Sequence, residues 1–382
     1  MCSGSQSGGG PAMADIESGR TAIERWILSE LEPSRSTTAD LSYERMESQS
    51  GRCLAVIYEP LDYSKRGHWS DTALIAAFVE ALRGANTVLD IGPGDGWPSL
   101  RMAHRFERVV GIDPSPRRVR VQRENAKRLH ISNVEFLEMD ALSLAFEDGS
   151  FGGVAAASSI EQTGDPERAL REVFRVLKPG GKLAVVFEDY GAYFPASDGD
   201  EELWVEFAEG PPVVFYQART KEPARESKYG LFLDDSMLRE QTELEEALIA
   251  LERDAVQLES LPDPSDAPSR PEELGVPFFE RLRPLVTDAR YFELRHLTSA
   301  TLDETLGRIG FADVRHLDHR LPNLRRFFDA AADDGRLDEL ATSFEEICWE
   351  FGAEAVRAAG EGPGDFAVAT KPAGRGGDRS DR

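Results

Sequence analysis

The chain has 382 residues, of which 41% are hydrophobic and 30% are charged, a composition typical of a globular protein with a sizeable core. Its formal net charge of −25 disfavours general nucleic-acid binding, because so acidic a surface repels the phosphate backbone. No window is long and apolar enough to cross a bilayer, so the sequence predicts no membrane span and, by default, a cytoplasmic location.

The charged and sulfur-containing residues carry two further indications. The excess of acid with little lysine favours a protein adapted to high salt, although a GC-rich genome would also enrich arginine over lysine. The three cysteines, Cys2, Cys53 and Cys348, are widely scattered and lack zinc-site spacing. They predict neither a disulfide framework nor a metal site, and we interpret Cys53 and Cys348 as small buried hydrophobes.

The two ends of the chain differ from its middle. Residues 1–20 are rich in Ser and Gly and have no basic or apolar region, which predicts a disordered leader and not a signal peptide. Residues 21–79 are predicted to form an N-terminal helical segment. Residues 373–382 are predicted to be an unstructured tail.

Residues 80–190 alternate short β-rich runs with helical stretches. The predicted strands are Thr87–Ile91, Arg108–Ile112, Val134–Glu138, Gly152–Ala157 and Lys182–Glu188. The predicted helices are Leu100–Arg105, Arg117–Leu129 and Pro166–Leu177. After residue 297 the pattern resumes, with a helix at Ser299–Gly310 and strands at Ala312–Leu317 and Asp365–Thr370. This alternation predicts an α/β fold in which helices cover both faces of a mostly parallel sheet of seven strands.

Two insertions interrupt that sheet. The longer one, residues 191–296, follows strand 5 and is predicted to be helical. Residues 297–372 finish the core and contain a shorter helical insertion, 319–363, between strands 6 and 7. An apolar stripe in the long insertion favours ordinary core packing, and its alternative use is pairing with a second subunit in a homodimer; its members are Leu244, Leu248, Leu251, Ala255 and Leu258.

The strongest chemical signal is a glycine-rich turn directly after the first predicted strand. Asp90 is followed by Gly92, Gly94 and Gly96 at alternate positions, and glycine lets a ligand approach the backbone closely. A dinucleotide-binding fingerprint would need a further glycine where Trp97 stands. The pattern therefore suits S-adenosylmethionine (SAM) better than a nicotinamide cofactor.

Polar residues follow the next three strands in register with this turn. Asp113, followed by Pro114, ends the second strand, where a carboxylate can accept both ribose hydroxyls. Asp140, beside Ala141, follows the third strand and is placed to meet an adenine amino group. Ser158 ends the fourth strand. Because the carboxyl ends of parallel strands share one edge of the sheet, these residues are predicted to converge on one crevice.

At these residues the chain resembles the class I SAM-dependent methyltransferases of the methyltransferase type 11 group, which includes the ubiquinone/menaquinone-biosynthesis C-methyltransferases. The resemblance implies a Rossmann-like sheet and SAM as cofactor, with Asp90, Gly92 and Gly94 at the methionine end. It also implies that Asp113 binds the ribose and Asp140 the adenine, and that residues 21–79 include a lid. The matching segments are Val88–Gly96, Val109–Pro114, Met139–Ala141, Phe146–Phe151 and Asp165–Gly181.

The chain departs from that family at two places. A histidine or another polar pair often follows the fourth strand in the family, whereas here the chain reads Ser-Ile-Glu-Gln from Ser159 to Gln162. Glu161 is therefore the candidate general base, expected at the rim of the crevice, and its alternative role is to cap the following helix. The insertion 191–296 is longer than usual, and we expect it to select the methyl acceptor.

The acceptor is predicted to be a small apolar or aromatic molecule. Several aromatic residues after the fifth strand are candidates for the walls of its pocket: Tyr190, Tyr193, Phe194, Trp204, Phe215 and Tyr216. Two alternatives stay open: a protein methyltransferase that uses the insertion as a docking arm, and a SAM-binding protein without turnover. The lone histidines His68, His296, His316 and His319 are interpreted as structural.

Overall fold

A computed structural model describes residues 19–43, 61–190, 199–207, 210–251 and 271–373. Most of the predicted leader and tail lie outside these ranges, as do Cys2, Cys53, Tyr193, Phe194, Ala255 and Leu258. The described residues divide into two compact units. One contains a five-stranded sheet and the other a seven-stranded sheet, and we call them the five-stranded unit and the seven-stranded unit. No helix among the described residues combines the length and apolar character that a membrane span requires.

The strands and helices alternate along most of the described chain. The strands are β1 (Ser34–Arg35), β2 (Thr87–Ile91), β3 (Arg108–Asp113), β4 (Val134–Glu138), β5 (Phe151–Ala157), β6 (Leu177–Val186), β7 (Gly199–Glu206), β8 (Val213–Thr220), β9 (Arg225–Leu233), β10 (Val286–Arg295), β11 (Ala312–Leu317) and β12 (Phe366–Thr370). The α-helices are α1 (Ala22–Glu30), α2 (Arg66–Ala81), α3 (Ser99–Met102), α4 (Pro116–Arg128), α5 (Pro166–Val176), α6 (Asp235–Arg239), α7 (Thr242–Ile249), α8 (Pro271–Leu282), α9 (Ser299–Ile309), α10 (Pro322–Asp333), α11 (Leu337–Leu340) and α12 (Phe344–Arg357).

The larger sheet has the order β11-β12-β6-β5-β2-β3-β4. All neighbouring strands from β6 to β4 run parallel, and β12 runs antiparallel to both of its neighbours. The chain order reverses between β2 and β5, since β3 and β4 lie on one side of β2 and β6 lies beyond β5. The predicted α/β class is therefore confirmed, and a reversal point of this kind is where open α/β sheets bind ligands, at the carboxyl ends of the strands.

Both faces of this sheet are buried under helices. On one face, strand residues such as Leu89 and Val154 pack with Leu170 of α5 and Leu302 of α9. On the other face, the core contains the cluster Trp69, Phe78, Val88, Ala155 and Cys348, to which α2 and α12 contribute. Burial raises the pKa of the Cys348 thiol, consistent with its interpretation as a small buried hydrophobe.

Helices α2 and α12 cross closely at Gly352. A Cβ atom on Gly352 would lie 2.1 Å from the carbonyl oxygen of Ala73 and 2.8 Å from the Cβ of Ala76. Because a helix backbone cannot move aside locally, we expect Gly352→Ala to lower the free energy of unfolding by about 1–3 kcal/mol.

The matched control for this change is Gly307→Ala in α9. Apart from its chain neighbours and the backbone of α9 itself, no heavy atom of the described residues lies within 4 Å of the position that the new Cβ would take. This substitution should leave stability unchanged or raise it by about 0.4–1 kcal/mol, because alanine restricts the unfolded chain. Denaturant unfolding of both variants checks the prediction, and similar midpoints for the two would contradict the close crossing.

The smaller sheet has the order β1-β10-β9-β8-β7, in which β7, β8 and β9 form an antiparallel meander. The prediction of a helical insertion is wrong here, because the chain between β6 and α9 contributes four strands to this sheet. Consecutive residues of β8 and of β9 are buried, so both faces of these two strands are covered over much of their length. The leucines Leu244, Leu248 and Leu251 are buried in the core of this unit, so the apolar stripe is used internally.

The N-terminal segment is divided between the two units. Helix α1 and strand β1 belong to the five-stranded unit, where β1 pairs in parallel with β10, whereas α2 belongs to the seven-stranded unit. The prediction that residues 21–79 form a single segment is therefore wrong. Helix α1 packs Ile23 and Ile27 into the core of the five-stranded unit.

Glu24 of α1 and Arg225 of β9 form a buried bidentate ion pair. Glu24 is completely buried and Arg225 is 3% exposed. Arg225 Nη1 and Nη2 donate to Glu24 Oε1 and Oε2 over 2.7 and 2.9 Å. Burial alone would raise the pKa of Glu24, but the hydrogen bond and charge of Arg225 lower it overall. Both groups are therefore charged in the core of the unit.

Candidate functional site

The turn after β2 leaves open space beside its backbone. Gly92, Gly94 and Gly96 have φ values of 65°, 57° and 120°, which side-chain-bearing residues rarely adopt. A Cβ on Gly92 would lie 2.7 Å from the Cβ of Ser159, whereas no heavy atom lies within 4 Å of the corresponding position at Gly94. A ligand can therefore approach the main chain at Gly94.

Two buried carboxylates flank this turn. Asp90 is fully buried, and its Oδ2 accepts hydrogen bonds from Ser99 N at 3.1 Å and Ser99 Oγ at 2.5 Å. Asp95 is 4% exposed. Asp90 Oδ1 and Asp95 Oδ2 are buried and accept no hydrogen bond from the described residues. Burial raises the pKa of Asp90 to about 7 and that of Asp95 to about 6. Asp90 Oδ1 and Asp95 Oδ2 are therefore buried acceptors without a hydrogen-bond donor from the described residues.

Helix α4 fixes the shape of the turn through two buried amides. Gln122 Nε2 donates to the carbonyl oxygen of Gly94 at 2.8 Å, and Asn125 Nδ2 donates to that of Asp95 at 2.8 Å. The sequence analysis did not identify either amide, nor Ser99 and Asp95. The spacing of Gln122 and Asn125 along α4 does not indicate a role at the turn, because only the folded chain brings them there.

Asp113 ends β3 next to this turn. It is 6% exposed, its Oδ1 accepts from Ser115 N at 2.9 Å, and its Oδ2 lies 3.4 Å from Gln122 Nε2. A carboxylate can accept about four hydrogen bonds, so these contacts orient Asp113 without saturating it. Pro114, which follows, is exposed at the surface.

The ends of β4 and β5 lie beside those of β2 and β3. Asp140 is exposed, and its Oδ1 accepts from Leu142 N at 2.8 Å, whereas the neighbouring Ala141 is buried. Ser158 is exposed with a φ of 48°, and Ser159 Oγ donates to the carbonyl oxygen of Ile91 over 2.5 Å. The structure therefore brings the four strand ends that carry the predicted cofactor-binding residues to one edge of the sheet.

Glu161 does not lie at an exposed rim, and the expectation for its position is wrong. Only 1% of the residue is exposed, and its Oε1 accepts a hydrogen bond from Glu188 N at 2.9 Å. Asp165, and not Glu161, caps α5. The short 3-10 turn at Glu161–Thr163 folds the side chain inward under the end of β6. Burial raises the pKa of Glu161 to about 7, although the nearby His296 acts in the opposite direction.

The four histidines that the sequence analysis interprets as structural each contact other residues of the fold. His296 stacks on Tyr190 with ring centroids 4.0 Å apart, and His68 Nδ1 accepts from Asp62 N at 2.7 Å. His316 contacts Asp303, and His319 pairs with Asp365. One ligand atom each of Asp318, His319 and Asp365 lies within 4.8 Å of the others, but Arg320 Nε already contacts Asp318 Oδ1 at 3.1 Å. Ion pairing therefore accounts for this trio.

Three of the aromatic residues predicted to line one pocket lie on two faces of the smaller sheet, whereas Tyr190 belongs to the seven-stranded unit. Trp204 and Phe215 are cross-strand partners whose rings stack with centroids 5.3 Å apart. Tyr216 points to the opposite face, into the core of the five-stranded unit. The grouping of Tyr216 with the other two is wrong, because adjacent residues of a strand alternate between faces. Lys228 Nζ lies 4.6 Å from the Phe215 ring centroid.

The raised pKa values predict that the stability of the ligand-free protein falls as pH rises from 5 to 7.5. Asp71, Asp90, Asp95 and Glu161 have pKa values of about 6, 7, 6 and 7, above those of an unfolded chain near 4. The unfolded state loses these protons first, so folding becomes less favourable through this interval. His68 and His104, whose pKa values burial lowers, oppose the trend but are fewer.

Thermal unfolding at constant ionic strength measures this dependence. Asp90→Asn removes one of the titrating groups, so its midpoint should fall less steeply with pH than that of the unchanged protein. A midpoint that rises between pH 5 and 7.5 would contradict the assignment.

Comparisons with known proteins converge on the region that carries the site. Residues 89–185 match the family described as "Methyltransferase domain". Demethylmenaquinone methyltransferase of Thermus thermophilus is 40% identical over 101 residues, which are 26% of this chain and 46% of that protein. The 27-O-demethylrifamycin SV methyltransferase of Amycolatopsis mediterranei is 37% identical over 106 residues, 27% of this chain and 39% of that protein.

These matches are local, and the chain spans less than half the length of either relative. Among solved structures, the CcbJ methyltransferase of Streptomyces caelestis aligns with 69% of this chain and 92% of its own, with 17% identity and a TM-score of 0.39. The matched segment, 89–185, begins within β2 and ends within β6, and so contains every predicted cofactor-binding residue. Residues 89–185, which carry the candidate site, are therefore similar to a methyltransferase domain.

Proposed function

We propose that the chain binds SAM at the carboxyl ends of β2 to β5 and transfers its methyl group to a small-molecule acceptor. The observation that carries this proposal is the pair of buried carboxylate oxygens beside an open glycine turn, Asp90 Oδ1 and Asp95 Oδ2. Buried acceptors without donors are costly, and a cationic ligand with N–H groups would satisfy them. The residues present therefore fit the charge of SAM.

Each strand end has a separate part in holding the cofactor. Asp113 accepts hydrogen bonds from the ribose hydroxyls, and Asp140 from the adenine amino group, beside the apolar Ala141. Gly92, Gly94 and Gly96 let the main chain approach the ligand, and Ser158 bounds the crevice at β5. When bound, SAM supplies a methyl group already activated on a positively charged sulfur, so the protein mainly has to position the two reactants and exclude water.

Glu161 stays the candidate proton acceptor for acceptors that lose a proton on methylation. Its Oε2 is buried and accepts no hydrogen bond from the described residues, and its pKa of about 7 suits a general base near neutral pH. Because Glu161 is buried, it can accept a proton only from a methyl acceptor that binds at the end of β5 and displaces water there.

The acceptor in this proposal is a small apolar or aromatic molecule. Trp204 and Phe215 of the five-stranded unit stack as an aromatic pair but are only 1% and 0% exposed, so the support for such an acceptor comes from the relatives. The two relatives are named as methyltransferases of demethylmenaquinone and of 27-O-demethylrifamycin SV, both small molecules. A protein acceptor docked on this unit and SAM binding without turnover are the alternatives.

Incubation of the pure protein with methyl-labelled SAM distinguishes the three functional hypotheses: a small-molecule acceptor, a protein acceptor and SAM binding without turnover. A small-molecule extract should yield one labelled low-mass product, and a protein extract should yield none. Label in protein alone would favour the docking-arm reading, and SAM binding without any transfer would favour the non-catalytic one. Glu161→Gln should keep SAM affinity and lose transfer if the acceptor must be deprotonated.

A further inference from the structure

Two short segments of the seven-stranded unit are bonded to each other just beyond the end of β6. They are residues 188–190, which follow β6, and residues 296–299, which lead into α9. Asp189 Oδ2 accepts hydrogen bonds from Ser299 N at 3.2 Å and from Ser299 Oγ, and both side chains are buried. The two segments are therefore held in a fixed arrangement at the edge of the sheet that carries the candidate site.

This arrangement fixes the ring of His296. Tyr190 N donates to the carbonyl oxygen of Leu297 at 3.2 Å, which brings Tyr190 beside the residue that precedes Leu297. The rings of Tyr190 and His296 stack with an interplanar angle of 8° and centroids 4.0 Å apart. Tyr190 is completely buried and His296 is 6% exposed. Because close packing leaves a buried ring little freedom, the imidazole is held in one orientation.

Glu161 is bonded to the first of these segments. Its Oε1 accepts a hydrogen bond from Glu188 N at 2.9 Å, and its Oε2 is buried without a hydrogen bond from the described residues. Glu188 lies two residues before Tyr190, so one short stretch of backbone carries the donor to Glu161 and the aromatic partner of His296. This stretch places the carboxyl group and the imidazole near enough for their charges to interact.

Two charged side chains act on Glu161 in opposite directions. Burial raises the pKa of Glu161 to about 7, the positive charge of His296 lowers it, and the negative charge of Glu188 raises it. The side chain of Glu188 is exposed, so water screens its charge, whereas His296 is buried like Glu161. The next acid along the segment, Asp189, accepts from Ser299. Among its charged neighbours in the described chain, His296 therefore favours the ionised form of Glu161.

We propose that His296 is a positioning residue that keeps Glu161 ionised, so that Glu161 can accept the proton that a methyl acceptor loses. This inference rests on the proposed function and adds to it a residue outside the matched segment, 89–185. A buried carboxyl group without a cationic neighbour stays protonated near neutral pH and cannot act as a base. The alternative is that His296 only packs against Tyr190.

The ionisation of Glu161 can be measured without an acceptor. Infrared spectra of the ligand-free protein over a pH series contain the band of protonated carboxyl groups, and subtracting the spectra of the matching Glu161→Gln variant isolates Glu161. His296→Phe keeps a ring that can stack on Tyr190 and removes the charge. We expect it to raise the pKa of Glu161 by about one unit, a tenfold gain in proton affinity, because a nearby opposite charge lowers a carboxyl pKa by about 1–3 units.

Two further variants separate charge from packing. His296→Met removes both the ring and the charge and should raise the pKa of Glu161 as His296→Phe does. His68→Phe changes a histidine of similar burial, 7% exposed, whose charged neighbours are Asp62, Lys65 and Arg101, and should leave the titration of Glu161 unchanged. No shift in His296→Phe, or an equal shift in His68→Phe, would overturn the role of His296.

Methyl transfer from labelled SAM to the small-molecule extract gives a second measurement. His296→Phe should move the rise of activity with pH upward by about one unit, while SAM affinity at constant pH stays within about twofold, a difference below 0.5 kcal/mol. A loss of transfer at every pH without a displaced profile would indicate a purely structural role and overturn the inference. Failure of the unchanged protein to bind SAM would instead overturn the proposed function, and the infrared titration would still decide whether His296 acts on Glu161.

Discussion

Replacing Asp113 with alanine should weaken SAM binding by about 100-fold or more. Under the proposed function, the carboxylate accepts two hydrogen bonds from the ribose, and bonds to a charged group contribute on the order of 1.5–3 kcal/mol each. Asp113 is 6% exposed and oriented by Ser115 N at 2.9 Å, so a water molecule cannot simply take the place of its side chain. The loss should therefore be close to the sum of both bonds.

Two other variants make this measurement specific. Asp113→Asn keeps the size of the side chain and should lose part of the affinity, because a neutral acceptor makes weaker hydrogen bonds. Asp140→Ala should cost less than Asp113→Ala, since Asp140 is exposed and competes with water for its partner. Calorimetry at constant pH gives the three dissociation constants. Unchanged affinity in Asp113→Ala, with unchanged thermal unfolding, would remove Asp113 from the ribose site.

Replacing Arg225 with methionine should lower the stability of the five-stranded unit by about 3–5 kcal/mol, the usual cost of removing one member of a buried ion pair. The change leaves Glu24 completely buried without its bidentate partner. Ser227 and Tyr229 also contact Glu24, but neutral hydroxyls do not compensate its charge. Hydrogen exchange of the β8 and β9 amides measures the stability of this unit directly.

The matched comparison uses an exposed ion pair of the same unit. Arg239 and Asp235 pair at 2.7 Å on α6 with side chains 69% and 48% exposed, so Arg239→Met should cost no more than about 0.5 kcal/mol. Glu24→Leu combined with Arg225→Met should recover much of the loss, because no unpaired charge remains. Exchange rates in Arg225→Met that equal those in Arg239→Met would show that the pair contributes little.

The sheet of the seven-stranded unit could be predicted because its signals are local. Strand β2 has the bounds that the apolar run Thr87–Ile91 predicts, and α5 begins after Asp165 with proline at its first position, as the capping pattern indicates. Strand β6 begins at Leu177, five residues earlier than predicted. Proline and glycine favour a break between helix and strand at Pro179–Gly181, whereas in the structure Leu177 of β6 already pairs with Phe151.

The candidate site, like the fold, could be predicted from the sequence only in part. Asp90, Asp113 and the glycines follow strands directly, so their spacing alone places them at one edge of the sheet. Gln122 and Asn125 reach the turn only through the packing of α4, and no spacing in the sequence records that packing. Sequence spacing puts Glu161 shortly after β5, but the inward direction of its side chain depends on the backbone N–H of Glu188, which donates to it.

The prediction for the insertion was wrong for a different reason. The leucines of α7 have a clear helical period, but this period covers only a short part of the segment. Strands β8 and β9 contain the runs Val213–Tyr216 and Tyr229–Leu233, whose buried positions include both faces of the sheet. A strand buried on both faces lacks a clear polar alternation, so short apolar runs of this kind do not distinguish strand from helix.

The order in which the ribosome synthesises the chain affects when the five-stranded unit can fold. Helix α1 is synthesised about 200 residues before Arg225 of β9, with which Glu24 pairs, and Ser34 of β1 pairs with Arg290 of β10, near the end of the unit. During that interval the α1 segment, with the carboxylate of Glu24, has no β-sheet against which to fold. Contacts so distant in sequence form late and slowly, because the intervening loop must close first. A nascent chain stalled before residue 225 would therefore expose the apolar face of α1 and be a substrate for chaperones or proteases.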